Sequence, residues 1–589
     1  MTSPTQPAAL QFKEDDRVGR VKAVDTSRVL IEVQDSALIT RVGIGNLVAV
    51  RGATEREFLI GMTERVTRSL RDAMLEQDDD YATELPLTPH PEDIIRVVLV
   101  GTYRTVDGTK SNVFKRGADS FPQIDRDCFI LDGGNLQRFM GLLGADIPED
   151  ERLQLGHFMV DRSAAAIASG DKFFQRHASI LGSTGSGKSW SVALMLERAS
   201  RLKFPNLIVF DMHGEYSPLT KAQGGFAEGF HIAGPGDLDT PPSDAVFLPY
   251  WMLNRDEMLS MILDRSDQNA PNQASRFTSH VRNLKEKTLE AERKEDVRKT
   301  FTVDSPIPYS IAELVDLLHD DDTRKGVGAR GGDVKGEWEG RLTRFVSRLR
   351  AKLDDRRYGF MFQPPPDALK YDWLANQVGR LLVSDGVAPG VKIIDFSEVP
   401  SDVLPVVTGV FARLLYTVQF WMEPDKRTPF ALVCDEAHLY LPVRADADAV
   451  ERQALDTFER IAKEGRKYGV SIVVVSQRPS DVSRTILSQC NNFLVLRLTN
   501  DEDQSVVRRL MPDSMSGIID ILPLMDTGEA ILLGDAVLLP SRIRLDAPSI
   551  HPASATRDFW KEWGTVGTDA VAITEAVETL RRQTRPSST

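Results

Sequence analysis

Between a short apolar strand at 177–181 and a helical pattern that begins at Trp190, the chain reads Gly182-Ser-Thr-Gly-Ser-Gly-Lys-Ser189. Few folds accommodate this order, because the Gly-x4-Gly-Lys-Ser spacing works only as a turn between a buried strand and the start of a helix. Gly182, Gly185 and Gly187 let the backbone curl until the N–H groups of the loop, Ser183, Thr184 and Ser186 included, point at a β-phosphate. The following helix adds the positive end of its dipole. Lys188 then reaches the β- and γ-phosphates, Ser189 takes Mg²⁺, and Trp190 is grouped with the residues beside the nucleotide. The expected cofactors are ATP and Mg²⁺.

At 589 residues the chain is too long for one core. With 41% hydrophobic and 27% charged residues its composition is that of ordinary globular protein. Three cysteines, Cys128, Cys434 and Cys490, form no CxxC pair, which excludes a disulfide framework and a zinc ribbon and suits a reducing cytoplasm. The net charge of -14 does not advertise nucleic-acid binding, yet a ring can be acidic outside and still line a narrow channel with a few cations. The N-terminus lacks the charged and apolar regions of a signal peptide. The apolar stretch 403–422 carries Arg413 and polar residues at helical intervals, so it reads as an amphipathic helix and no membrane span is expected.

Short alternating runs at 18–24, 29–33, 47–51, 58–62 and 94–100 predict a small β-barrel over 1–140. The acidic run Glu76-Gln-Asp-Asp-Asp80 reads as a solvated loop within it. From about 170 the pattern changes to strands at 178–181, 207–210, 391–396, 430–434, 471–475 and 493–496 alternating with helices. Continuous apolar strands of this kind predict a RecA-like α/β P-loop ATPase core with a parallel sheet. We divide that core into 141–250 and 379–545, separated by a charged helical insertion at 251–378 and followed by a C-terminal extension at 546–589. The charge run 282–293 reads as a solvated helix face. The aromatics Phe559, Trp560 and Trp563 suggest that the extension reaches a neighbouring subunit.

Three core strands are predicted to end in chemistry at their carboxyl ends, where doubly wound sheets bind ligands. Phe430-Ala-Leu-Val-Cys434 runs into Asp435 and Glu436. There Asp435 joins the Mg²⁺ shell, and Glu436 orients and deprotonates the attacking water. Asp211 and Glu215 follow the 207–210 strand and Gln477 follows 471–475, as candidates for γ-phosphate sensing. Capping a turn is the competing role for Asp211 and Glu215. His438 is assigned no metal. Arg466, in Glu464-Gly-Arg-Lys-Tyr-Gly469, and Arg176, before the strand that enters the phosphate loop, are candidate arginine fingers acting on a neighbour's ATP. Arg444, after the Asp-Glu strand, is the candidate DNA-phosphate contact.

The order barrel, Arg176-His177, phosphate loop, Asp211-Met-His-Gly-Glu-Tyr216, Asp435-Glu-Ala-His438, Glu464-Gly-Arg-Lys-Tyr-Gly469 and Ser476-Gln-Arg-Pro479 resembles the HerA family of the HerA/FtsK ATPases over nearly the whole chain. The resemblance implies a homohexameric ring that drives double-stranded DNA through its pore. Lys188, Asp435 and Glu436 match the family's hydrolysis residues, and Arg176 and Arg466 its interface arginines. It further implies a separately encoded effector, either a NurA-type or other nuclease or a sirtuin-like NADase, in end resection or antiphage defence. No nuclease constellation stands in this chain, so the N-terminal barrel is the expected docking surface. A different class of function also suits the residues, namely an ATP-dependent scaffold that organises an effector without processive movement. A peptide-unfolding ATPase and a transporter-type ATPase fit less well, because no substrate-recruiting domain and no Leu-Ser-Gly-Gly segment are present.

Overall fold

The computed structural model describes residues 7–25, 28–35, 37–70, 91–107, 110–145, 147–159, 161–327, 333–511, 519–554, 557–567 and 569–583. The acidic run at 76–80 lies outside them. The chain divides into two compact units.

The first unit comprises Met1–Arg198, Gln477–Ser480 and Cys490–Pro548. Its N-terminal part is a closed antiparallel barrel. Around it run Arg28–Val33, Arg17–Asp25, Asp127–Ile130, Leu47–Arg51, Glu57–Leu70 and Pro91–Asp107, and pairing of the last with the first closes the ring. Alternation builds the core: Val29, Ile31 and Val33 point inward and join Val48, Val50, Leu59, Ile95 and Val97. On the other face of Leu47–Arg51, Arg51 lies over the rings of Phe58 and Phe129. Two expected strands are longer than their apolar runs, because bulges near Gly61 and Arg65 let the Glu57–Leu70 ribbon keep pairing while it bends. Lys110–Arg116 extends this ribbon and went unpredicted, as did Asp127–Ile130.

The rest of the first unit carries the strand that enters the phosphate loop. Ala178–Leu181 pairs in parallel with Asn492–Val495. From there Glu529–Gly534, Ser541–Leu545, Arg152–Phe158 and Ala165–Ser169 add in antiparallel order. This part of the core is therefore not parallel as expected, and the strand Ser541–Leu545 went unpredicted. Ser541-Arg-Ile-Arg-Leu545 alternates with period two and buries Ile543 completely. The barrel is tied to this hairpin by one side chain: the Arg116 guanidinium donates to the carbonyls of Gly534 (2.7 Å), Val537 (2.9 Å) and Leu538 (3.3 Å). Replacing Arg116 by Ala is expected to cost about 1–2 kcal/mol of stability. An unchanged thermal midpoint would show that the clamp contributes nothing.

The second unit comprises Ala199–Ser476, Asp481–Gln489 and Ser549–Thr589. Here the sheet is parallel throughout, in the order Ala245–Val246, Ala227–Ile232, Val391–Asp395, Leu207–Asp211, Phe430–Cys434, Val470–Ser476. Phe430–Cys434 and Val470–Ser476 are buried at every position, as continuous apolar runs in a covered sheet require. The Leu404–Trp421 helix is the one among the described residues long and apolar enough to cross a membrane. Two thirds of it (67%) is buried inside the protein, and Arg413 from it forms a bidentate pair with Glu257 at 2.6 and 2.7 Å.

Helices dominate the insertion as expected: Arg255–Ile262, Ala270–Ala291, Ile311–Thr323, Thr343–Asp354 and Trp373–Leu382. The charge run is not wholly a solvated face, because Lys285 within it is 1% exposed. Burial pushes its pKa down to about 7, and its amine donates to the carbonyls of Val303 (2.6 Å) and Ser305 (2.7 Å). In the extension, Phe559–Thr565 and Ala570–Arg582 bury none of their residues, and Trp560 is 88% exposed.

Candidate active site

In the first unit, backbone conformation accounts for each glycine of the phosphate loop. Gly185 and Gly187 hold φ of +72° and +105°, which L side chains rarely adopt. A Cβ on Gly182 would lie 2.5 Å from Ser186 Oγ and 2.9 Å from Leu496 Cβ. The loop's outward oxygens are occupied: Ser186 N donates to Ser183 O (3.1 Å), Thr527 Oγ1 to Gly185 O (3.2 Å) and Gly528 N to Ser186 O (3.1 Å). Ser183 donates through both N and Oγ to Arg497 O, at 2.9 Å each. Sequence reasoning missed Thr527 and Gly528, since nothing local marks a turn some 340 residues away as a brace for the loop.

Three features of this loop fit a polyphosphate. The amides of Thr184, Gly185 and Gly187 make no hydrogen bond among the described residues. Lys188, 8% exposed at the start of the Lys188–Ser200 helix, has no ion-pair partner among them. The fully buried Ser186 hydroxyl has no partner either. A buried cation and buried donors with nothing to bind are costly unless a ligand completes them. Gln477 is brought to the same loop, where its Oε1 accepts from Thr184 Oγ1 at 2.6 Å. Trp190 stands 39% exposed in the first helical turn, next to Ser189.

In the second unit a group of carboxylates collects at strand tips. Register places Phe210 beside Cys434 and Asp211 beside Asp395. Asp435 and Glu436, 4% and 9% exposed, follow directly. Burial, then Glu436, Asp211 and Glu215, hold the Asp435 carboxyl well above the usual carboxylate range. Such crowding is relieved by a cation. No group of three or more His, Cys, Asp or Glu side chains among the described residues is arranged as a metal cage. That suits Mg²⁺, which takes one or two carboxylates and completes its shell with water and phosphate oxygens.

Glu436 adopts φ 43°, ψ 45°, a left-handed conformation unusual for a residue with a side chain. Its Oε2 lies 3.3 Å from His438 Nδ1, which is 3.4 Å from Ser476 Oγ. His438, given no role from sequence, is thus the imidazole that stands beside this carboxylate. The signal was its spacing of two from Glu436 across a tight turn.

Asp211 turns out to organise the turn that follows it. Its Oδ1 accepts from the amides of His213 (3.3 Å) and Glu215 (3.1 Å), and its Oδ2 from Tyr216 N at 2.9 Å. Both oxygens are engaged, so the capping role prevails over direct contact with nucleotide. Burial raises its pKa to about 6 despite these donors, with Asp395 adding to the rise. Glu215 is anchored through its carbonyl, which accepts from Ala553 N of the C-terminal extension at 2.7 Å.

The three candidate arginines differ in what they touch. Arg176 is bound within its own unit to Asp535 at 2.5 Å. Although burial acts to raise it, hydrogen bonds from Asn491 and Arg176 hold the Asp535 carboxyl below its ordinary range. Arg444 is engaged by Asp456 (2.5 Å) and Glu459 (3.0 Å), so it is an ion-paired structural residue here rather than an open phosphate contact. Arg466 is exposed and makes no side-chain hydrogen bond or ion pair among the described residues.

The fold and these two sets of residues define a RecA-like P-loop ATPase. Residues 153–415 match the family model described as "Helicase HerA, central domain". A probable helicase of Methanocaldococcus jannaschii is 26% identical over 402 residues, covering 67% of each chain. The DNA double-strand break repair helicase HerA of Sulfurisphaera tokodaii is 25% identical over 392 residues, 66% of this chain and 68% of its own. Among solved structures, VirB4 of Thermoanaerobacter pseudethanolicus aligns over 68% of this chain and 98% of its own, at 18% identity and a TM-score of 0.46. The plasmid coupling protein TrwB bound to a non-hydrolysable ATP analogue aligns over 72% and 94%, at 13% identity and 0.43. Residues 153–415 thus match a HerA-type central domain, and the chain is an ATP hydrolase of helicase type.

Proposed function

We propose that the protein is a hexameric ring ATPase that moves double-stranded DNA through its pore and works with a separately encoded effector. The observation that carries this reading is Arg466: an exposed residue with no side-chain hydrogen bond or ion pair among the described residues. An arginine left open in one copy is what an arginine finger acting on the next copy requires. Two of the relatives are named DNA double-strand break repair helicases, which supports DNA as the track. Three buried free cysteines support a cytoplasmic location. Repair with a NurA-type or other nuclease and defence with a sirtuin-like NADase are the two settings for such a ring.

In this reading the open amides of Thr184, Gly185 and Gly187, with Lys188, hold the β- and γ-phosphates of ATP, with Gly182, Ser183, Ser186 and Trp190 shaping the loop beside the nucleotide. Ser189 and Asp435 would hold Mg²⁺, whose chemistry there would be to neutralise charge that develops on the phosphates. Glu436 accepts a proton from the attacking water as the new O–P bond forms and the bridging bond to ADP breaks. Gln477, already against Thr184, reports the state of the γ-phosphate, while Asp211 shapes the turn that carries Glu215. Arg466 acts in trans. Arg176 steadies the approach to the phosphate loop through Asp535.

The exposed Phe559, Trp560 and Trp563 favour one alternative, a scaffold that binds ATP to organise an effector without processive movement. ATP hydrolysis measured without DNA, with single-stranded DNA and with linear duplex, while light scattering reports mass, separates the two. Duplex-stimulated hydrolysis by a hexamer is expected. A hexamer indifferent to DNA would overturn the translocase in favour of the scaffold.

A further inference from the structure

Tyr216 closes the turn organised by Asp211, and its side chain is completely buried. Its backbone amide donates to Asp211 Oδ2 at 2.9 Å, at the end of the strand whose Phe210 pairs with Cys434, the residue before Asp435. Its hydroxyl is buried and has no hydrogen-bond partner among the described residues. Burial first, then the charges of Asp435, Asp211, Glu215 and Glu436, all of them acceptors, push its pKa well above the ordinary phenol range. Tyr440 supplies the contrast: equally buried, it donates its hydroxyl to the Asp435 main-chain oxygen at 3.1 Å and so is committed to holding the strand tip.

A phenol is a good donor, and one buried without an acceptor is destabilising compared with phenylalanine in the same place. A carboxylate that turns one oxygen to a cation in a dry site still has lone pairs to satisfy. We propose that Tyr216 is a positioning residue, which donates its hydroxyl hydrogen bond to the Asp435 carboxylate when Mg²⁺–nucleotide is bound and so fixes the orientation in which Asp435 meets the cation. The inference rests on the reading above that Asp435 serves Mg²⁺. It deepens that reading by adding the donor that the motif Asp211-Met-His-Gly-Glu-Tyr216 delivers.

Tyr216→Phe removes the hydroxyl and keeps the ring. Two readouts are needed: thermal unfolding without nucleotide, and binding of a non-hydrolysable ATP analogue as Mg²⁺ is titrated from zero. The variant is expected to unfold at the wild-type temperature or above, and to bind the analogue normally without metal. It is expected to need about tenfold more Mg²⁺ for half of the metal-dependent gain, as befits one lost charge-assisted hydrogen bond. An unmoved Mg²⁺ midpoint overturns the proposal whatever the thermal result. Lys188→Ala runs beside it: if that variant keeps full analogue affinity, the phosphate-loop reading has failed. If it loses affinity while Tyr216→Phe titrates as wild type, only the tyrosine proposal has.

Discussion

Glu436→Gln is expected to slow ATP turnover by roughly 10²–10⁴-fold while nucleotide binding survives. The amide has the volume of the acid and can keep the contact with His438 that now stands at 3.3 Å. What it loses is basicity, because an amide cannot take the proton of the attacking water. Single-turnover hydrolysis and analogue binding, measured on the same preparation, check both halves. Hydrolysis near the wild-type rate would remove Glu436 as the base and turn attention to Glu215, the next carboxylate of the group.

Arg466→Ala is expected to have an effect at least as large, about 10³–10⁵-fold on hydrolysis, the range an arginine finger supplies. Affinity for nucleotide should change little, since in this reading the guanidinium meets the γ-phosphate of another copy only as charge develops. Mixing gives the sharper measurement. Rings assembled from Glu436→Gln and Arg466→Ala subunits would contain some sites with an intact Glu436 facing an intact Arg466, so two inactive proteins should regain activity together. If mixing restores nothing while mixed rings form, Arg466 does not act in trans.

Much of this was legible in the sequence. The strand into the phosphate loop and Phe430–Cys434 begin and end where their apolar runs do, because a fully covered parallel strand must be apolar along its whole length. The antiparallel strands Glu529–Gly534 and Ser541–Leu545 went unread because they are defined by pairing with each other and with Asn492–Val495, which no local pattern announces. Side-chain partnerships were the harder part. Arg176 meets Asp535, 359 residues away, and no local pattern announces that pair. Arg444 meets Asp456 and Glu459, three apart on the Ala449–Glu464 helix; that acidic face could have been read as its counterpart. Tyr216 and His438 stand inside motifs that were recognised, yet their roles depend on where a ring points after a turn, which spacing does not tell.

The left-handed backbone at Glu436 has a further consequence for the history and engineering of this chain. A side chain held at φ 43° costs on the order of 1 kcal/mol or more relative to glycine. Selection for folded protein alone therefore pulls this position toward a smaller residue, and selection for turnover pulls it back. A campaign to harden the protein against heat, screened only by solubility or melting temperature, would tend to find its gains at the residue proposed to activate water. Activity has to be part of the screen from its first round, because at this position foldability and fitness point in opposite directions.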